Sequence, residues 1–174
     1  MSAISLIVAG QNAVVKREMK MQRMLIAYIL TGLIFLLLPG TFLGVWNLIS
    51  ISNRHALDSL PPAFLQAHGH AQIFGWIGTF ILGIGFYSLT KMGNLPAFAI
   101  RRGWYCYGLW TAGITLRWFA GVAEWRWRVL LPVSALLELA AFLVFFRTVS
   151  RHRAAASAAD DASNPRKREP WMWL

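Results

Sequence analysis

Four uninterrupted apolar runs, at 25–49, 66–89, 104–122 and 129–146, constrain this chain more than any other feature. A helix needs about 20 apolar residues, at about 1.5 Å of rise each, to cross the hydrocarbon core of a bilayer. Only helices and closed barrels satisfy their own backbone polar groups there. Barrel strands alternate apolar and polar residues, whereas these runs are continuous. The sequence therefore predicts an all-α integral membrane protein, folded as a four-helix antiparallel transmembrane bundle. Composition agrees: 57% of the residues are hydrophobic and 14% charged, against about 45–50% and about 25% in ordinary soluble domains.

The formal net charge of +10 could suggest a nucleic-acid partner, but the basic residues sit at the ends of apolar runs and in one tail. Lys16, Arg17, Lys20 and Arg23 precede the first run. Lys91, Arg101 and Arg102 separate the second from the third, and Arg147, Arg151 and Arg153 follow the fourth. The other two connections are nearly balanced, Arg54 against Asp58, and Arg126 and Arg128 against Glu124. The excess of basic residues on cytoplasmic loops places both termini in the cytoplasm and excludes nucleic acid as the expected partner. Cys106 is the only cysteine, so neither an internal disulfide nor a cysteine metal cluster can form.

Residues 1–24 read as an N-terminal interfacial segment, since their charges follow the apolar stretch rather than precede it as in a secretory signal. Residues 25–149 read as the membrane domain, and 150–174 as a mobile basic cytoplasmic tail. The tail turns apolar at Pro170-Trp171-Met172-Trp173-Leu174, which reads as the approach to a further span or as tryptophans resting on headgroups. In the first run Pro39-Gly40 predicts a kink. Gly40 and Gly44 form a Gly-x-x-x-Gly pattern that lets helix backbones approach.

The residues with the most chemistry are His68 and His70, at the outer mouth of the second run. Ionisable residues in a membrane helix are expensive, and neutral imidazole is a common ligand for metals and haem iron. Residues advance about 100° each along a helix, so two imidazoles two apart cannot share one metal on a regular helix. Below His68 lie Ala71, Gln72, Gly75, Thr79 and Leu82, a small, partly polar face on which Gly75 leaves room for a flat ligand such as a porphyrin. Below His70 lie the bulky Phe74, Ile77 and Ile81, suited to lipid or a neighbouring helix. His68 is thus the favoured axial ligand. His70 is left to hydrogen bonding, a second, weaker metal contact, or the interface. The alternative is that water and headgroups satisfy both rings.

The run His68-Gly69-His70-Ala71-Gln72-Ile73-Phe74-Gly75-Trp76 resembles the second-helix signature of the NnrS family and of haem-copper oxidase subunit I, especially its nitric-oxide-reductase-like and C-type branches. His68, His70, Phe74, Gly75 and Trp76 match the His-x-His and Phe-Gly-aromatic pattern, and Phe86-Tyr87 resembles the close of that helix in the C-type branch. The resemblance implies that His68 is an axial ligand of a haem b in the outer half of a bacterial inner membrane, in respiratory electron transfer or a response to nitric oxide. It covers at most the N-terminal third of a subunit I. The only other histidines are His55, in an outer loop, and His152, in the tail. The chain therefore lacks the histidines of a haem-copper centre, and another subunit, a second copy or a further part of the protein would supply the second haem ligand.

Two more charges lie within spans. Arg117 falls about 8 Å and Glu138 about 14 Å below the outer end of their helices, within reach of one another as a buried pair. Alternatively, Arg117 holds a haem propionate and Glu138 carries protons. Arg126 and Arg128, interleaved with Trp125 and Trp127, read as interface anchors and as further propionate partners. Two other readings remain: a packing or assembly module without a cofactor, and a small copper-handling protein using His68 and His70. Without a Met or Cys cluster on the outer side, the latter is disfavoured.

Overall fold

The computed structural model describes residues 3–54, 62–93, 98–123 and 126–163, and among these the only regular elements are helices. The first rod consists of α1 (Ala3–Phe35), a π-helical turn π1 (Leu36–Thr41) and α2 (Phe42–Arg54). The second consists of α3 (Pro62–His70), π2 (Ala71–Gly78) and α4 (Thr79–Gly93). Helices α5 (Phe98–Val122) and α6 (Trp127–Ser163) form one rod each. At Pro39-Gly40, where the sequence reads a kink, the helix widens into the π-helical turn. Proline has no N–H and cannot complete a regular turn, and the hydroxyl of Thr41 donates to the Leu36 carbonyl at 2.8 Å across the widened stretch.

Contacts between rods fix their directions. Tyr28 lies against Gly83, Gly32 against Trp76, Phe35 against Gly75, and Gly44 against His68. As one number rises the other falls, so the first two rods are antiparallel. The same holds for α5 on α6, where the Cys106 thiol donates to the Ala141 carbonyl and Gly113 faces Glu138. It holds again for α4 on α5, where the Trp110 indole N–H donates to Thr79 Oγ1 at 3.0 Å and Gly103 faces Phe86. The core runs through the middle: Met24, Tyr28, Leu82, Phe86, Cys106, Trp110 and Ile114. Tyr28 closes it with a hydrogen bond of 2.8 Å to the Gly103 carbonyl.

The distribution of polarity is the reverse of a soluble bundle. Leu37, Leu38, Leu48, Ile81, Leu136 and Phe146 are each more than half exposed, while Asn47, Thr79, Ser134, Glu138 and Thr148 are buried. Large apolar faces turned outward, with polar side chains buried among the apolar core, suit lipid rather than water. Three helices, Val8–Asn53, Pro62–Leu89 and Arg128–His152, are long and apolar enough to cross a membrane, compatible with a membrane protein. Helix α5 is not among them, because Arg101, Arg102, Arg117 and its threonines dilute its apolar character.

Two boundaries differ from the sequence reading. The segment read as a separate interfacial helix at 1–24 continues from Ala3 into the first rod without a break. Helix α6 runs to Ser163, so the beginning of the segment read as mobile is helical; its alanine-rich stretch after Arg153 has high helix propensity. His55, Asp58, Glu124, Trp125 and the closing Pro170–Leu174 lie outside the described residues. At the end of the bundle that holds Arg17 to Arg23, Lys91 donates to Glu18, and this hydrogen bond holds the ammonium above the ordinary lysine range.

Candidate functional site

The His68 ring sits in the groove left by Gly40 and Gly44. Its Nδ1 lies 2.8 Å from the Gly40 carbonyl oxygen. A carbonyl only accepts, so the hydrogen sits on Nδ1, and in the neutral ring the lone pair is on Nε2. Nε2 has no hydrogen-bond partner among the described residues and is not among the sealed-off atoms. This is the second-sphere arrangement that orients a metal-binding imidazole. The two glycines make the groove: a Cβ on Gly44 would fall 2.8 Å from His68 Cε1, and one on Gly40 would fall 2.8 Å from Gln72 Nε2. The Gly-x-x-x-Gly pattern therefore admits two polar side chains of the neighbouring rod.

His70 faces elsewhere. Its Nε2–H donates to Glu138 Oε1 at 3.0 Å, with both side chains about nine-tenths buried. Its ring stacks on Phe74 with centroids 4.6 Å apart. Helical geometry gave His70 a bulky apolar face turned to lipid or a neighbouring helix; in the structure that neighbour is α6, and it presents a carboxylate. Glu138 can approach because Gly113 has no side chain: a Cβ there would meet Glu138 Cγ at 2.7 Å. The expected Arg117–Glu138 pair is not formed. Among the described residues, the side-chain partner of Glu138 is His70, through a hydrogen bond.

Arg117 instead borders a cavity of about 360 Å³ between α3, α5 and α6, with Gln66, Ala67, Gly121 and Leu131. It also borders a void of about 10 Å³ that reaches His70, Ala71 and Trp118. The structure thus gathers His70, Glu138 and Arg117 in one region, and sets His68 apart against π1 and α2. Gly75 is filled by Phe35, whose Cβ would lie 2.8 Å from a Cβ on the glycine. Of the two roles open to Gly75, packing is the one displayed. Arg126 and Arg128 are exposed at the turn into α6. Arg126 takes a left-handed φ of 45°, and its carbonyl accepts from the N–H groups of Val129 and Leu130 at 2.9 and 3.0 Å.

The sequence reading missed Asn47. It follows Gly44 by three residues, on the same face, and is buried with both amide atoms unpartnered among the described residues. Such an atom normally finds water or a bound group. Among the described residues, no group of three or more His, Cys, Asp or Glu side chains gathers.

The His70–Glu138 pair yields a direct prediction. Glu138→Gln keeps a carbonyl acceptor for His70 and should lower stability by less than about 1 kcal/mol. Glu138→Ala strands a buried donor and should cost about 1–3 kcal/mol. Thermal unfolding in detergent separates the two, and equal losses would show that the hydrogen bond contributes nothing. No known protein family, curated protein or solved structure matches the chain.

Proposed function

We propose that this chain is a haem-b-binding membrane protein of the NnrS and haem-copper oxidase subunit I group, with His68 as axial ligand. The observation that carries the reading is the hydrogen bond from His68 Nδ1 to the Gly40 carbonyl, which leaves Nε2 as the free ligand atom. When bound, the haem supplies one-electron exchange, as respiratory electron transfer or a nitric-oxide response requires. The chain's own residues do the rest. Gly40 fixes the tautomer and raises the basicity of the imidazole, and Gly44 admits the ring. Glu138 occupies the Nε2 of His70 and removes that ring from competition for the metal. Arg126 and Arg128 are the propionate partners at the His68 end, and Arg117 serves its own cavity.

In this reading all four rods cross a bacterial inner membrane with both termini in the cytoplasm. The second ligand comes from another subunit or from His68 of a second copy. The catalytic centre of the resembled oxidases is not assembled on this chain. Copper is the other metal open to His68, but the engagement of His70 with Glu138 leaves a copper site short of ligands.

One observation favours a second reading, a packing module without a cofactor: Gly75 is filled by Phe35 and Gly44 by the His68 ring, as in a helix interface optimised for contact. Visible spectra decide between them. Purified in detergent with haem supplied, the protein should show a haem spectrum, with the sharp α and β bands of a six-coordinate b-type haem on reduction where a second copy supplies the other ligand, and a five-coordinate spectrum where another subunit does. A colourless protein with its helices intact would sink the haem reading and leave the packing module.

A further inference from the structure

At the opposite end of the bundle from His68, α1 and α5 flank an open pocket of about 690 Å³. Its walls carry Arg17, Lys20 and Arg23 from α1, and Arg101 and Trp104 from α5, over a floor that includes Ile100. Among the described residues no carboxylate lines it, and the nearest acid along α1, Glu18, is engaged by Lys91. Four cations around one cavity repel one another, and an anion bound among them would relieve that repulsion. A second observation points the same way. Arg17 Nε and Nη2 are buried and have no hydrogen-bond partner among the described residues. A guanidinium is a rigid fork that meets phosphate oxygens through paired N–H bonds, and these two donors are the atoms such a fork would use. Arg101 Nε and Nη2 both donate to Tyr105 Oη, which holds that guanidinium in place at the rim. The site lies at the first turn of the 25-residue α5, where the helix dipole adds a partial positive charge.

Depth agrees with a headgroup at the inner part of the pocket. Arg23 and Lys20 lie about 3 Å and about 8 Å outside the apolar run that begins at Leu25, level with a headgroup layer about 5–7 Å thick on each side. Arg17, about 12 Å out, borders the pocket from the water side. Trp104 is 41% exposed, the amphipathic ring that marks this level. Basic pockets between membrane helices hold anionic lipid heads by this chemistry.

We propose that this pocket is a binding site for a phosphate group, met by Arg17, Lys20 and Arg23 and covered by Trp104. The phosphate belongs either to an anionic lipid, whose chains run along the outer faces of α1 and α5, or to a soluble phosphate ester at the membrane surface. The proposal is independent of the haem reading, since it uses no residue of the His68 end.

The test uses the full chain, delipidated in neutral detergent. The buried thiol of Cys106 serves as the reporter of unfolding through a thiol-reactive dye. Phosphatidylglycerol at a hundredfold excess over its Kd should raise the unfolding midpoint by about 5 °C or more, while phosphatidylcholine should not. Added salt should erase the gain. Inorganic phosphate giving the same rise at millimolar concentration would identify the soluble source instead. The pair Arg17→Gln and Arg23→Gln should lose the rise, and Lys16→Gln, which lies outside the pocket, should keep it. Equal response to both lipids and none to phosphate in the unaltered protein would overturn the proposal whatever the variants do, and so would a full response in the double variant.

Discussion

Replacing His68 with alanine is expected to abolish haem binding, while His70→Ala weakens it only. The two rings differ in what their nitrogens already do. His68 gives Nδ1 to the Gly40 carbonyl and keeps Nε2 unpartnered. His70 has its Nε2 on Glu138 and its face on Phe74. Removing His68 therefore removes the iron ligand itself. Removing His70 leaves Glu138 without its donor and loosens α3 on α6, an indirect effect on the site. Gly44→Ala extends the test without deleting the imidazole. Its Cβ would lie 2.8 Å from His68 Cε1 and 3.2 Å from Nδ1, so the ring must move and the bond to Gly40 must stretch or break. Loss of such an orienting contact lowers metal affinity about 10- to 100-fold. Haem titrations followed by difference spectra would give all three values. Equal loss from His68→Ala and His70→Ala, or loss from neither, would refute the assignment of His68.

The class of fold was legible because long continuous apolar runs leave few alternatives to helices, and the antiparallel order followed from the alternation of basic and nearly balanced connections. The glycine pattern at Gly40 and Gly44 was legible as a place of close approach. What approaches was not, since the identity of the partner depends on the register between rods. The pairing of Glu138 shows how register misleads. Counting depth from the apolar runs puts His70 about 6 Å and Glu138 about 14 Å below the surface, too far apart to meet, with Arg117 a better match. In the structure α3 begins at Pro62 and α6 at Trp127. Counted from those starts, His70 lies about 12 Å and Glu138 about 16 Å along their helices, a difference that two side chains can bridge. Apolar runs mark where lipid begins rather than where helices begin. The π-helical stretch at Ala71–Gly78 had no local signal either. Its sequence holds no proline, and its course depends on Gly75 closing on Phe35 and Gly78 on Trp110. The two imidazoles were rightly separated onto different faces, but the face given to His70 hid a carboxylate because helix–helix register is a tertiary property.

Gly113→Val is expected to force α5 away from α6 and to take the His70–Glu138 pair with it. A Cβ on Gly113 would fall 2.7 Å from Glu138 Cγ, 3.0 Å from the Ser134 carbonyl oxygen and 3.2 Å from the Glu138 amide nitrogen. Two of these three atoms are backbone, so no rotamer change relieves the clash, and Glu138 cannot swing aside without leaving His70. Overpacking of this kind costs about 3 kcal/mol, which corresponds to about a hundredfold change in the equilibrium for opening the interface. The interface carries its own reporter: Cys106 is fully buried and its thiol bonds to the Ala141 carbonyl of α6. Alkylation of that thiol under native conditions should accelerate by roughly the same hundredfold in Gly113→Val. Gly108→Val is the control, because Gly108 lies on the same helix with nothing within 4 Å of an added Cβ. It brings the same change in helix propensity without the clash. Equal labelling rates in the two variants would mean that α5 and α6 do not depend on this contact. The carboxylate would then reach His70 by some other adjustment, and the close approach at Gly113 would not be what positions it.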